Sequence, residues 1–186
     1  MRTRDVALSA VSGALYAIVG VYTYFGITFY GVRFWPAVVI PGIFAALYGG
    51  LVGGTGAAIG IFISDVMTHG NAFLSIAVGV PANFLCFYMI GFLCQKLRLK
   101  EIMSMKKGRA VLTWIMISSA GLALGSMIIG IGLTIWSQQF PMPFQHEVHP
   151  ISIEAGLLIA LWTFVSEFPF LWLLVPPVLE VVRRAA

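Results

Sequence analysis

The chain has 186 residues, of which 60% are hydrophobic and 10% charged, with a mean hydropathy of +0.96 and a formal net charge of +4. Soluble domains carry about 25% charged residues, so this balance excludes a hidden soluble catalytic domain and points to an integral membrane protein. The length fits a single membrane-embedded domain over 1–186, since no polar segment is long enough to fold apart from the rest.

Arg2 and Arg4 precede the first apolar run, as they would in a signal peptide. The run outlasts the roughly 7–15 residues of a signal core, and no clear small-residue cleavage site ends it, so a retained first helix over 6–24 is expected. Ala7, Ala10, Ala14 and Ala17 recur at helical spacing and form one narrow stripe. Small residues let membrane helices approach closely, so the stripe either packs inside the bundle or docks another membrane subunit; the spacing leaves both open.

The stretch 23–36, TYFGITFYGVRFWP, crowds Tyr24, Phe25, Phe29, Tyr30, Phe34 and Trp35 around Arg33. Rings at such a position form an interfacial belt or, together with a mobile pair of glycines at Gly26 and Gly31, a cover that stacks on a small planar or anionic ligand. Two short glycine-rich segments follow at 36–49 and 51–67, expected as a helix pair turning at Gly49 and Gly50, because unpaired backbone is not tolerated in lipid. Gly49, Gly53, Gly56, Gly60 and Ser64 line one face of the second, which is expected to pack inside. GGTGAAIG within it is GxGxxxG in an apolar helix, not a dinucleotide loop, and no GxxxxGK[ST] segment occurs, so any ATP dependence must come from another chain.

A fourth apolar segment, 72–96, holds Pro81, Asn83 and the two cysteines, Cys86 and Cys94. Eight positions along a helix are about 12 Å of rise, too far for a bridge between them. Segments at 110–137 and 152–181 complete an expected all-α bundle of six transmembrane helices. With both termini on one side, that side collects Arg2, Arg4, Lys96, Arg98, Lys100, Lys106, Lys107, Arg109, Arg183 and Arg184, and the other side Arg33 alone. The asymmetry predicts cytoplasmic termini, with the basic loop KLRLKEIMSMKKGR setting orientation and meeting anionic membrane lipid. Nucleic-acid binding is not expected, since no soluble basic fold accompanies these charges.

The outer side holds the histidines His69, His146 and His149. Asp65, His69 and Asn71 in SDVMTHGNAF and the loop SQQFPMPFQHEVHP are expected to meet the aromatic loop at one mouth. The HEVH spacing departs from helical zinc motifs, so His146 and His149 are expected to be hydrogen-bonding groups and no metal is assigned. Within the bundle, Asn83 and Glu167 are polar groups at membrane depth, which is costly and therefore points to function. Glu167 is left open between receiving a ligand, relaying a proton and pairing with Ser118 or Ser119, and Trp162 between flooring a pocket and serving as a packing or belt tryptophan.

The chain resembles the S components, the substrate-binding membrane subunits of energy-coupling factor vitamin transporters. The resemblance lies in ALSAVSGALYA of the first helix, RFWPAVVIPGIFAALYGGLVGGTGAAIGIFISD through the next two, GVPANFLCFYMIGFL in the fourth, and an AxxxA motif at Ala10 and Ala14. It implies high-affinity capture of a vitamin, riboflavin-like in the first instance, at the extracellular face of the cell membrane under the first outer loop. It also implies docking of the first helix on a transmembrane coupling subunit driven by two cytoplasmic ATPase subunits. Cobalt and nickel members carry a histidine at the second position, where this chain has Arg2, so an organic ligand is implied and no cofactor. The substrate-binding set is then Tyr30, Arg33, Phe34, Trp35, Asp65, His69, Asn71, Asn83 and Trp162, with Ala10 and Ala14 as the partner-docking pair. An enzyme is not expected: no nucleophile and base stand in a recognisable arrangement and no GxSx motif occurs, which leaves Asp65, His69 or Glu167 as the acid–base groups of a competing intramembrane-enzyme reading. A proton-coupled carrier or channel using Glu167 is the other alternative.

Overall fold

The computed structural model describes residues 2–98, 101, 107–142 and 147–185. Lys100 and Lys106 of the basic loop and His146 of HEVH lie outside them. Helix α1, Thr3–Thr23, leads into an antiparallel hairpin of β1, Thr28–Phe29, and β2, Val32–Arg33, with Thr28 opposite Arg33 and Phe29 opposite Val32. A 3-10 turn, Pro36–Val38, opens α2, Val39–Tyr48; α3 runs Gly50–His69, α4 Ala72–Lys96, α5 Lys107–Ser137 and α6 Ile153–Ala185. Five of these helices are long and apolar enough to cross a membrane, and the segment Pro36–Tyr48 is a shorter apolar helix. The all-α expectation omitted the hairpin, whose two-residue strands are too short to leave an alternating pattern in the sequence.

Exposed apolar side chains ring the bundle, among them Ile18, Leu112, Met116, Ile135, Leu161 and Leu173. Such a surface suits lipid rather than water. The interior is built around Tyr16, Trp35, Phe87, Trp114, Leu171 and Val175. Trp114 Nε1 donates to the Leu171 carbonyl at 2.8 Å, tying α5 to the proline-bearing half of α6.

Close approach of helices is paid for in side chains. A Cβ on Gly60 would stand 2.6 Å from the Gly13 carbonyl oxygen and one on Gly56 would stand 2.7 Å from Ser12 Cβ, so α1 and α3 meet backbone to backbone. The expected inward glycine stripe of α3 is therefore buried at Gly53, Gly56, Gly60 and Ser64. On α1 the inward face is Ser9, Ser12, Gly13, Tyr16 and Gly20. Ala7, Ala10 and Ala14 lie exposed on the opposite side, and only Ala17, at the edge of their stripe, turns inward. Gly49, at φ +97°, makes the α2–α3 turn in a backbone region that a side chain disfavours, and Gly91 of α4 packs against that turn, its Cβ position 2.3 Å from the Gly50 nitrogen.

In α4 the segment Ser75–Gly79 widens to a π-helical turn just before Pro81. Widened turns of this kind recur at functional sites, and here Asn83 Nδ2 donates to the Gly79 carbonyl at 3.0 Å. Gly60→Val is expected to separate α1 from α3 and cost about 1–3 kcal/mol of stability, as overpacking does. Gly108→Ala, with nothing within 4 Å of the added carbon, should leave the melt in detergent unchanged. Equal melting of the two variants would remove the α1–α3 contact from the account.

Candidate functional site

The aromatic loop is held in shape by two successive turns, each an aromatic residue and a glycine in left-handed conformation: Phe25 and Gly26 at φ 53° and 72°, Tyr30 and Gly31 at φ 48° and 80°. Two adjacent positive φ values fit the twist of a tight hairpin. Ile27 N–H closes the first turn on the Tyr24 carbonyl at 3.0 Å. The two glycines, expected to be mobile, are turn residues whose freedom is used up in the hairpin. Phe29 and Val32 rest on an apolar cluster that includes Leu74, Val78, Leu133 and Met142, and Trp162 Nε1 donates to the Val32 carbonyl at 3.1 Å.

From this hairpin Arg33 turns inward and is buried. Its guanidinium donates to Asp65 Oδ1 and Thr68 Oγ1, and to Ser64 Oγ at 3.1 Å, all on the last turns of α3. It also lies 4.2 Å from the centroid of the Trp35 ring. Asp65 Oδ2 accepts from Ser75 Oγ of α4 at 2.7 Å, and His69 Nε2 is 3.5 Å from Asp65 Oδ1. Gly79 makes room for this carboxylate, since a Cβ there would stand 2.8 Å from Asp65 Oδ2. Burial pulls the Arg33 pKa below its ordinary value, and the neighbouring Asp65 carboxylate opposes that shift. The result is one ionic knot that ties the hairpin, α3 and α4 together.

Beneath the hairpin lies a cavity of about 90 Å³, smaller than the roughly 300–1,000 Å³ usual for small-ligand sites. Its outer wall is Tyr30, Arg33, Trp35, Asp65 and His69. Its inner end is Tyr16, whose hydroxyl donates to Asn83 Oδ1 at 2.7 Å, together with Asn83 and Glu167. Ile61, Leu74, Val78, Ile129, Leu133 and Met142 supply apolar sides. Glu167 and Asn83 also border a smaller void below, beside Ser126, whose buried hydroxyl has no hydrogen-bond partner among the described residues.

Six of the nine residues of the substrate-binding set thus line one cavity, Tyr30, Arg33, Trp35, Asp65, His69 and Asn83, and Glu167 lines it with them. Three do not. Phe34 packs on Phe170 at 5.3 Å, Asn71 accepts from the Leu74 N–H at 3.0 Å as the cap of α4, and Trp162 braces the hairpin from outside. Glu167 pairs with neither Ser118 nor any other described residue; the Ser118 hydroxyl donates to the Trp114 carbonyl of its own helix at 2.7 Å. Tyr16 was overlooked by sequence reasoning, although its spacing from Gly13 and Gly20 places it on the glycine face of α1. His149 is exposed beside a shallow outer pocket with Tyr30 and Met142. Among the described residues no group of three or more His, Cys, Asp or Glu gathers as a metal site.

Comparison with family models, with curated proteins and with solved structures finds no match. The reading of this site therefore rests on its own geometry.

Removing one partner of a buried ion pair strands the other, at about 3–5 kcal/mol. Arg33→Met and Asp65→Leu are each expected to destabilise on that scale, and the two combined to recover much of the loss. Thermal melts in a double-mutant cycle check this, and strictly additive effects would deny the coupling.

Proposed function

We propose that the chain is a non-enzymatic membrane subunit that captures a small water-soluble molecule of vitamin size at the outer face and passes it on with a partner complex. One observation carries the reading: an aromatic hairpin roofs a cavity that descends from the Arg33–Asp65 pair to Asn83 and Glu167 inside the bundle. Capture needs only such a roofed, mostly apolar cleft with a few polar groups.

In this reading the chain crosses the membrane six times, with both termini cytoplasmic. The hairpin, His69 at the end of α3, Leu74 near the start of α4 and Met142 all border the same cavity, which supports a return pass by α2 between the hairpin and Gly49. The 13 residues from Pro36 to Tyr48 rise only about 21 Å, so the bilayer thins locally or flanking residues reach its edge. The ten cations counted on the side of the termini favour that orientation in a cell membrane.

The outward alanines supply the second half of the proposal. Ala10 and Ala14 lie exposed on α1, where small residues leave room for a foreign helix. The resemblance to S components gives the partner: a transmembrane coupling subunit driven by two cytoplasmic ATPases.

Native mass spectrometry of the gently purified protein tests the first half. A vitamin-sized molecule should be released and should rebind the stripped protein with nanomolar affinity; lipid alone, with no response to a vitamin panel, would turn the reading toward a carrier using Glu167. For the second half, Ala10→Leu with Ala14→Leu should abolish co-purification with a coupling module while leaving small-molecule affinity within about twofold, since only the close helix contact is blocked. Retained assembly would move the dock to another face.

A further inference from the structure

Arg33, Asp65, His69 and Glu167 line the cavity, and they are not equivalent. At the outer wall Arg33 and Asp65 satisfy one another, with Ser64, Thr68 and Ser75 completing their hydrogen bonds. At the inner end Glu167 borders the cavity and accepts no hydrogen bond from any described residue. Arg33 already donates to Ser64, Thr68 and Asp65, so an anionic ligand would meet a guanidinium whose charge Asp65 balances. A cation meets Glu167 without breaking any hydrogen bond among the described residues. An isolated carboxylate at membrane depth is costly, and an arriving positive charge relieves that cost instead of adding to it.

Resting on the capture reading above, we infer that the cavity takes a planar cation, an amidinium or a protonated amino-heterocycle, whose N–H groups face the Glu167 carboxylate. The walls fit the rest of such a molecule. Tyr16 and Tyr30 offer ring surfaces, and Ile61, Leu74 and Leu133 offer apolar contact for a flat ring. Asn83 is uncharged, and its carbonyl oxygen already accepts from Tyr16 while its amide donates to Gly79, so Glu167 is the stronger partner for a cation. Arg33, at the other end of the cavity, ties the roof to α3.

Three probes of one size and shape separate the possibilities: benzamidine, which is cationic, benzamide, which is a neutral donor, and benzoate, which is anionic. Titrated into the full chain in detergent, benzamidine is expected to bind at least tenfold more tightly than either of the others and to raise the melting temperature most. Glu167→Gln should erase that preference. Glu167→Asp, which keeps the charge and withdraws it by one methylene, should retain the order of the three with a smaller margin. Benzoate or benzamide equalling benzamidine, or a benzamidine preference that survives Glu167→Gln, would overturn the inference. The two levels of argument fail separately. A co-purified vitamin-sized molecule without a cationic group would uphold capture and overturn the charge assignment; no co-purified molecule and no response to any probe would overturn both.

Discussion

A guanidinium from an outer loop is buried against a carboxylate on the third helix, and the architecture of the outer half follows from satisfying that pair. Neither charge could be left alone in so apolar a setting. Arg33 therefore recruits Ser64, Asp65 and Thr68 from α3, and Asp65 recruits Ser75 from α4. The hairpin is thereby pinned over the cavity with only its turns free, so that Phe25 is 72% exposed while Trp35, under the Arg33 guanidinium, is 3% exposed.

That knot depends in turn on small residues elsewhere. Gly79 admits the Asp65 carboxylate to the surface of α4, in the widened turn before Pro81. Gly20 lies under Trp35, where a Cβ would stand 2.2 Å from the indole ring. Gly13, Gly56 and Gly60 bring α1 against α3, which sets Tyr16 within reach of Asn83 at the cavity's inner end. In a medium where burial of apolar surface gives no drive between helices, such close packing and a few hydrogen bonds are what hold the bundle.

The cavity is accordingly two-ended. Its outer end is electrically balanced and mechanically fixed. Its inner end, with Glu167 above a second void beside Ser126, has polar capacity left unused among the described residues.

By itself the sequence determined the membrane class, the all-helical body and the helix limits, because long apolar runs broken by glycine, proline and charge admit few other structures in lipid. The segments expected at 72–96 and 110–137 lie within a few residues of α4 and α5. It also marked Asp65, His69, Asn83 and Arg33, since polar groups at membrane depth or among clustered rings are costly and stand out. Only the tertiary structure decided what those groups do. Arg33 stood out among rings in the sequence, and only the fold brought Asp65 to it, thirty-two positions along the chain. The α1 alanines could have faced either way until Gly13 and Tyr16 took the inner side. Partnering between helices depends on rotation and depth, and a one-dimensional pattern specifies neither until the helices have packed.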